Sequence, residues 1–377
     1  MAARRTGSSP VTARERNGTV VRGKTLAQQE RRRDQMMKIL KFLLAMTVAL
    51  VAFGSAGGVQ AQTKLRFILD WKYQAQMGMY FLAADRGYFR DEGLEVAFDQ
   101  GEGAGAAAPK IASGAYDIGF GSLDSVISLQ AIRPAEAPVA VFQTYSRSPF
   151  VIAVKSESPI KVAKDLEGRT IGGPIFDGAL KLFPAFAKIA KIDASKVTVT
   201  NMAPNLRAQM LMRDQIEGAF AFYTGIYMDT KLLGAHPQKD LRFIKYEDYG
   251  MDLYSNTIII SKNLITQNPN AVKGFLRALN RGLKDANADR DAGLDAVLKR
   301  EPLLNRAIER ERLDLMFDFD MSTPEVKEIG VGDVVDARLE RNIRIITEAQ
   351  SLPRAPAPSE VFNRSFLPPL AERPKQM

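Results

Sequence analysis

The stretch LDWKYQAQMGMYFLAADRGYFRDEGLEV, residues 69–96, carries the pattern that decides the fold. It begins at the end of the run KLRFILD (64–70), whose composition is typical of a β-strand. The segment 74–87 predicts a helix that ends just before Gly87, and LEVAFD (94–99) predicts a second strand. A strand, a helix and a strand in this order form a βαβ unit, so we expect a largely parallel sheet.

This alternation continues along the chain and divides into two series. The apolar runs 150–155 and 256–260 lead into and out of the second series. The pattern therefore predicts an α/β fold with two lobes, joined by two crossovers and separated by a cleft. We assign 62–149 to lobe 1, 150–253 to lobe 2, 254–352 to the return into lobe 1 with the C-terminal helices, and 353–377 to a proline-rich tail.

The first 61 residues predict export rather than part of the fold. Segment 36–61 has a positive start, an apolar centre, and Val59 and Ala61 at the −3 and −1 positions of a signal-peptidase site. Its apolar centre is shorter than the roughly 20 residues that span a bilayer. We expect a cleaved signal peptide, a periplasmic protein, and a disordered or mis-called extension at 1–35, with translation starting at Met36 or Met37.

Composition excludes several classes of function. Most of the net charge of +9 lies before residue 42, so the body is nearly neutral and no nucleic-acid partner is expected. The chain has no cysteine and a single histidine, His236, which excludes thiol catalysis and leaves little material for a metal site or a catalytic triad. We expect no metal, no cofactor and no enzymatic activity. GEGAG (101–105) precedes a short segment with Pro109, which favours a turn with N–H groups facing the cleft over a dinucleotide motif.

Side chains that follow the predicted strands suggest a ligand site, because ligands of open α/β sheets bind beyond the carboxyl ends of strands. We expect a cleft lined by aromatic rings, at least three of which contact the ligand. The candidate rings are Trp71, Tyr73, Phe120, Tyr145, Tyr223, Tyr249 and Tyr254. Gln76, Gly121, Ser122 and Asp177 are the other candidates, although helix capping alone explains Ser122 and Asp177.

Several segments resemble the solute-binding receptors of ABC importers for nitrate, sulfonates and thiamine pyrimidine precursors. They are residues 69–96, IASGAYDIGFGSLDSV (111–126), VAKDLEGRTIGG (162–173), YEDYGMDLYSNTIIISKNLI (246–265) and the closing stretch GVGDVVDARLERNIRIITEAQSL (330–352) with VFNRSFLPPL (361–370). The resemblance covers roughly 64–370. It implies a type II periplasmic-binding-protein fold, a ligand between the lobes, no catalysis, and a monomer that works with a membrane permease and its ATPase. A related eukaryotic group that makes the pyrimidine uses cysteines, which this chain lacks.

Within this family, the Asp-Trp pair at 70–71 is similar to the branch that binds pyrimidines or other heteroaromatic precursors. The resemblance implies that Trp71 and Tyr73 contact the ring, although KYQAQ stands where that branch has a proline and asparagines. One alternative is a receptor for a sulfonate or nitrate, held by Lys72, Arg147 and the helix start at Ser122. A second is an exported hydrolase that uses two of the carboxylates Asp70, Asp124, Asp177, Glu247 and Asp248.

Overall fold

The computed structural model describes residues 31–43 and 62–377. Residues 31–43 form a helix with exposed side chains. Of the predicted extension 1–35 only residues 31–35 are described, and of the predicted signal peptide 36–61 only residues 36–43; the rest of both segments lies outside the described residues. Among the residues that are described, no helix is both long and apolar enough to cross a membrane.

The first series of the chain forms a βαβ arrangement, as the sequence predicts. Its elements are β1 (Thr63–Ile68), α1 (Gly78–Asp85), α2 (Tyr88–Asp91), β2 (Leu94–Asp99), α3 (Ala107–Ala112), β3 (Ile118–Ser122), α4 (Leu123–Ile132) and β4 (Val139–Gln143). β1 pairs in parallel with β2 and β3. The predicted helix 74–87 starts as a 3-10 turn, Ala75–Met77, and continues as α1. Gly87 follows with φ 77°, which confirms the predicted helix end.

The second series forms a sheet of its own. Its elements are β5 (Phe150–Lys155), β6 (Thr170–Gly173), α5 (Gly178–Ile189), β7 (Thr198–Asn201), α6 (Arg207–Met212), β8 (Gly218–Phe222), α7 (Tyr223–Leu232), α8 (Pro237–Asp240) and β9 (Leu241–Lys245). The strand order is β7-β6-β8-β5-β9, with β6 parallel to β7 and β8, and β5 antiparallel to β8 and β9. Two sheets with helices between their strands confirm the α/β prediction.

The chain then returns to the first sheet. Strand β10 (Asn256–Ile260) lies antiparallel between β3 and β4, which gives the order β2-β1-β3-β10-β4. The helices that follow are α9 (Lys262–Gln267), α10 (Pro269–Ala288), α11 (Arg290–Leu298), α12 (Arg306–Leu315), α13 (Pro324–Ile329), α14 (Asp336–Ala349) and α15 (Pro358–Val361). Gly282 lets α10 pack closely on α1, because a Cβ there would lie 2.5 Å from the carbonyl oxygen of Met79.

Two crossover segments, 144–149 and 246–255, join the sheets and lie side by side. The Tyr145 N–H donates to the Asn256 carbonyl at 3.0 Å, and the Tyr246 N–H donates to the Phe150 carbonyl at 3.0 Å. The Ser148 hydroxyl donates to the Met251 carbonyl at 3.3 Å. Paired crossovers of this kind let two lobes move about one hinge.

The proline-rich segment 353–377 belongs to the folded body. Val361 is fully buried, and Phe362 and Phe366 are nearly so. The Val331 N–H also donates to the Pro374 carbonyl at 2.8 Å. The segment therefore packs on the elements before it, although its composition is that of a loop.

Candidate ligand-binding site

A cavity lies between the lobes, where residues that follow strands of both sheets meet. It holds about 560 Å³ of space free of protein atoms, counting its open mouth. Its lining consists of Asp70, Trp71, Gln74, Gln76, Met77, Ala104, Tyr145, Asp177, Gly178, Arg207, Phe222, Thr224, Gly225 and Asp320. The position agrees with the rule that open α/β sheets bind ligands beyond the carboxyl ends of their strands.

The loop after β2 packs tightly against the end of β1 and holds Asp70 and Trp71 in place. The Gly101 N–H donates to the Trp71 carbonyl at 3.0 Å, and the Gly103 N–H donates to the Asp70 carbonyl at 2.8 Å. A Cβ at Gly101 would lie 2.0 Å from the Leu69 carbonyl oxygen, so the close approach requires glycine. Three N–H groups of the predicted turn 101–105 are thus used by backbone carbonyls, and one of these bonds crosses the cleft, from the Gly105 N–H to the Phe176 carbonyl of lobe 2 at 3.0 Å.

Trp71 meets a cation from the opposite lobe. The guanidinium of Arg207, on α6, lies 5.1 Å from the centroid of the Trp71 ring. Arg207 is buried and donates to Oδ2 of Asp177 at 2.9 Å. Asp177 caps α5 by accepting from the N–H groups of Ala179 and Leu180 at 2.9 and 3.3 Å. The capping interpretation of Asp177 is confirmed, and the same side chain also lines the cavity.

Asp70 is a buried carboxyl group, and only one of its oxygens accepts a side-chain hydrogen bond. Its Oδ2 accepts from Nδ2 of Asn256, on β10, at 2.6 Å. Its Oδ1 has no hydrogen-bond partner among the described residues. Burial raises the pKa of Asp70 to about 7, although the hydrogen bond from Asn256 opposes that rise. The charge of this group therefore changes close to neutral pH.

Asp320 enters the cavity from a π-helical turn, Met316–Asp320, that extends α12. Such turns are frequent at functional sites. Oδ2 of Asp320 accepts from the Thr224 hydroxyl at 2.9 Å, across the boundary between the lobes. Its Oδ1 has no partner in the described part of the chain. Burial raises the pKa of Asp320 to about 7, with Thr224 and Arg147 acting against the rise.

The cavity is rich in hydrogen-bond acceptors. Besides the two carboxyl oxygens, Oε1 of Gln76 is buried and has no partner within the described residues. Three carboxyl groups and one guanidinium line the space, and that guanidinium is paired with Asp177. Buried acceptors without partners are costly, so the lining favours a molecule that donates hydrogen bonds.

A chain of buried charges continues from the cavity wall into lobe 1. Arg207 lies 3.7 Å from Asp229 on α7, and Asp229 lies 3.0 Å from Arg312 on α12. Arg312 also pairs with Glu309 at 3.2 Å, and Glu309 accepts from the Ala75 N–H at 2.8 Å. Burial alone would raise the pKa of Asp229, but neighbouring cations, led by Arg312, lower it below its usual value. The chain therefore ties lobe 2 to the segment after β1 through ionised groups.

Four of the predicted site residues line the cavity, namely Trp71, Gln76, Tyr145 and Asp177. Tyr145 lies in the first crossover and packs edge-on against Phe120, with ring centroids 5.4 Å apart. Two of the seven predicted rings are thus in the lining, and the expectation that at least three rings contact the ligand stays a prediction. Phe222, at the end of β8, supplies another ring.

The predicted group on β3 lies in the core, outside the lining. Phe120 and Ser122 are fully buried, because β3 is an inner strand covered by α3. A Cβ at Gly121 would lie 2.6 Å from Cβ of Ala107, so this glycine serves the packing of α3. Ser122 stands at the start of α4 but bonds the Ser125 hydroxyl at 2.9 Å instead of capping the helix.

Tyr73 and Tyr223 are close in sequence to residues that line the cavity, but neither of them is part of the lining. The Tyr73 hydroxyl donates to the Phe98 carbonyl at 2.7 Å, which holds the ring against β2. The Tyr223 ring packs against Phe243 with centroids 4.8 Å apart.

Tyr249 and Tyr254, in the second crossover, also lie outside the lining. The Tyr249 hydroxyl accepts from the Ala163 N–H at 2.9 Å. The Tyr254 ring is buried, and its hydroxyl accepts from the Val335 N–H at 2.9 Å. Their hydroxyls serve the packing of this crossover, because each bonds a backbone group at the start of a neighbouring segment.

Several lining residues were not among the predicted site residues. Phe222 and Thr224 belong to a strand-to-helix turn like that of Asp177, so the same reasoning could have found them. Arg207 and Asp320 lie within helical segments and have no local signal in the sequence.

The chain matches known proteins along most of its folded length. The riboflavin-binding protein RibY of Chloroflexus aurantiacus is 27% identical over 78% of this chain and 83% of its own. The formylaminopyrimidine-binding protein of Halalkalibacterium halodurans is 23% identical over 74% of this chain and 85% of its own. The 4-amino-5-hydroxymethyl-2-methylpyrimidine phosphate synthase of Aspergillus parasiticus is 21% identical over 68% and 76%.

Among solved structures, the alkanesulfonate-binding protein SsuA of Xanthomonas axonopodis pv. citri, bound to MOPS, superimposes with a TM-score of 0.61. That match covers 81% of this chain and all of SsuA at 15% identity, and it confirms the type II periplasmic-binding-protein fold. The family described as "NMT1/THI5 like" matches residues 74–292, which is more than half of the chain. The chain therefore belongs to the NMT1/THI5-like family.

Proposed function

We propose that this chain is the substrate-binding component of an ABC importer and captures a small heteroaromatic molecule of the pyrimidine type between its lobes. The observation that carries the proposal is the cavity, where Trp71 and Tyr145 stand beside the unpartnered oxygens of Asp70 and Asp320. A planar ring with N–H donors on its edge can pack against the aromatic rings and donate to the carboxyl oxygens. Two relatives that are named for binding riboflavin and formylaminopyrimidine support this class of ligand.

The same lining argues against a receptor for a sulfonate or nitrate. Neither Lys72 nor Arg147 nor Ser122, which that alternative would use, lines the cavity. The Arg147 guanidinium lies 4.3 Å from the Phe319 ring centroid and donates to the Phe319 carbonyl at 3.0 Å. The cation that does line the space, Arg207, is committed to a carboxylate, so an anion would meet an excess of negative charge.

We propose that the chain is a receptor without enzymatic activity. Of the five carboxylates considered for a hydrolase, Asp70 and Asp177 line the cavity, and Asp177 is occupied by Arg207 and by helix N–H groups. The chain has no thiol, and His236 precedes α8 outside the lining. Because relatives include named synthases, an assay for turnover belongs to the test.

The pattern of residues 36–61 supports export through a signal peptide that is cleaved after Ala61. We further propose that the protein acts in the periplasm as a monomer. Its partners would be a membrane permease, which recognises the closed form, and the ATPase of that permease.

The test is a thermal-shift screen followed by calorimetry. Aminopyrimidines and riboflavin are compared with an alkanesulfonate and nitrate. A heteroaromatic that binds should raise the melting temperature by several degrees at 100 times its Kd, because ligand at that excess stabilises by about 2.7 kcal/mol. The anions should give no shift. Each compound that binds is then incubated with the protein and followed by NMR for turnover, which should be absent.

Two variants locate the bound molecule. Trp71→Ala should weaken binding at least tenfold, because it removes an aromatic face of the cavity. Tyr116→Phe, which removes a hydroxyl that bonds Asp99 outside the cavity, should leave the Kd unchanged. Selective binding of the sulfonate, or conversion of a bound heteroaromatic, would overturn the proposal.

A further inference from the structure

The walls of the cavity hold two carboxyl groups, Asp70 and Asp320, each with one oxygen that is not paired within the described protein. Oδ1 of Asp70 and Oδ1 of Asp320 are buried and accept no hydrogen bond from any described residue. A buried carboxylate that lacks a partner is held at a cost of several kcal/mol, so such groups are ordinarily paired or serve a ligand. Two of them lining one space call for an explanation.

The two guanidinium groups near this space are already engaged. Arg207 pairs with Asp177 and Asp229. Arg147 donates to the Phe319 carbonyl and covers the Phe319 ring. The raised pKa values of Asp70 and Asp320 agree with this geometry, since burial outweighs the groups that favour ionisation.

The two carboxyl groups are held by different kinds of support. Asp70 follows β1, and its other oxygen is fixed by Asn256 within the same sheet. Asp320 belongs to lobe 1, but its other oxygen is held by Thr224 of lobe 2. Asp320 is therefore positioned for binding only when the lobes are closed, so its contact with a ligand would link recognition to closure.

We propose that the ligand is a cation, a planar aromatic molecule with an amidinium-like or aminopyridinium-like edge, and that Asp70 and Asp320 hold this edge through charge-assisted hydrogen bonds. The inference rests on the proposed receptor function and adds the charge of the ligand. A positive N–H edge supplies both the donors and the counter-charge that the cavity lacks. Asp320 is the residue that determines specificity, because the hydrogen bond from Thr224 of lobe 2 positions it only when the lobes are closed.

A series of three compounds on one phenyl ring tests the charge. Benzamidine is a cation, benzamide is neutral and benzoate is an anion, and the three are nearly equal in shape. Their Kd values are measured with the intact protein at pH 7.5 by ligand-observed NMR and calorimetry. Benzamidine should bind at least tenfold more tightly than benzamide, and benzoate should bind most weakly. Equal affinities, the reverse order, or no binding of benzamidine at 10 mM would overturn the inference.

Three isosteric variants assign the preference to residues. Asp320→Asn and Asp70→Asn should each reduce the benzamidine preference at least fivefold while benzamide binding is kept. Asp124→Asn is the matched control, because Asp124 is equally buried, has an unpartnered Oδ1 and a raised pKa, but lies outside the lining. Its preference should equal that of the parent protein. A preference that survives in both cavity variants contradicts the assignment, and the series on the parent protein stands if a variant fails to fold.

Failure of this inference and failure of the proposed function have different signatures. A neutral pyrimidine that binds and depends on Trp71, with no preference for benzamidine, would overturn the charge and leave the receptor intact. Binding of neither the heteroaromatic panel nor the benzamidine series would overturn both.

Discussion

Arg312 and Asp229 form a buried ion pair between the lobes, with Nη2 of Arg312 3.0 Å from Oδ1 of Asp229. The Arg312 side chain is fully buried and also pairs with Glu309. The pair joins α12 of lobe 1 to α7 of lobe 2, so the closed arrangement brings charges together that opening would separate. Loss of one partner of this pair is costly because the other charge then stays buried without compensation.

Replacement of Arg312 by methionine should lower the free energy of unfolding by about 3 kcal/mol, because it leaves Asp229 and Glu309 buried without this partner. Urea denaturation measures the effect. Arg306→Met, on the same helix, is the control, since its ion pairs with Asp291 and Asp295 are half-exposed. That variant should cost less than about 1 kcal/mol. Equal losses in the two variants would contradict the role of burial.

Gly103→Ala should weaken ligand binding at least tenfold without touching the ligand. A Cβ at Gly103 would lie 2.2 Å from the carbonyl oxygen of Phe176 in lobe 2, so closed lobes cannot accommodate it. Calorimetry gives the affinity, and small-angle X-ray scattering with saturating ligand should show a larger radius of gyration. Gly114→Ala is the control for a glycine-to-alanine change at a positive φ that meets no neighbour, because a Cβ there has nothing within 4 Å. Unchanged affinity in Gly103→Ala would show that this contact does not limit closure.

The stability of the ligand-free protein should fall as pH rises from 5 to 8. The folded-state pKa values of Asp70 and Asp320 are raised to about 7, so the folded state keeps protons that the unfolded state has released above pH 4. The free energy of unfolding therefore decreases through this window, by up to about 1.4 kcal/mol per pH unit for each group. Melting temperatures across the window measure the slope.

Asp70→Asn should flatten that pH dependence, because the amide cannot ionise. Asp117→Asn should leave it unchanged, since the ion pair with Arg66 lowers the pKa of Asp117 below its usual value despite burial, and the stability it contributes is lost only below about pH 4. A slope that is equal in the parent protein and in Asp70→Asn would contradict the assignment.

Phe366→Ala should destabilise the protein by about 3 kcal/mol, because a large buried side chain is lost from the core of lobe 1. Urea denaturation provides the measurement. Leu370→Ala, four residues further on, removes a side chain that is 43% exposed and should cost about 1 kcal/mol or less. Comparable small losses for both would show that this segment contributes little to the fold.

The fold and part of the site were accessible from sequence because their signals are local. Gly87 and Asp177 mark a helix end and a helix start, and Trp71 follows a strand, so each position can be inferred from its neighbours. Tyr249 and Tyr254 share that local signature of loop aromatics, yet their hydroxyls bond backbone N–H groups elsewhere. Loop position alone does not separate packing from binding.

The charged residues that line the cavity far apart in sequence could be identified only from the structure. Asp320 lies 250 residues after Asp70 and reaches the cavity through a π-helical turn that has no sequence signature. Arg207 is one of many basic residues at a helix start, and its stacking on Trp71 depends on how the two sheets face each other. Hydrophobic periodicity predicts helices and strands, but it does not predict contacts between residues that are distant in sequence.

Two segments near the C-terminus, at Gly332 and Asn363, cover part of the edge strand β4. Strand β4 is the outer strand of the first sheet on one side, and such a strand can recruit a strand from another chain. Here the Asn363 N–H donates to the Ala140 carbonyl at 2.8 Å, and Gln143 exchanges hydrogen bonds with Gly332. These two bridges pair backbone groups of Ala140 and Gln143 that would otherwise be open to another strand. The β4 edge of the first sheet is therefore paired with the protein's own chain at two points, which leaves less of that edge open to a strand from another molecule.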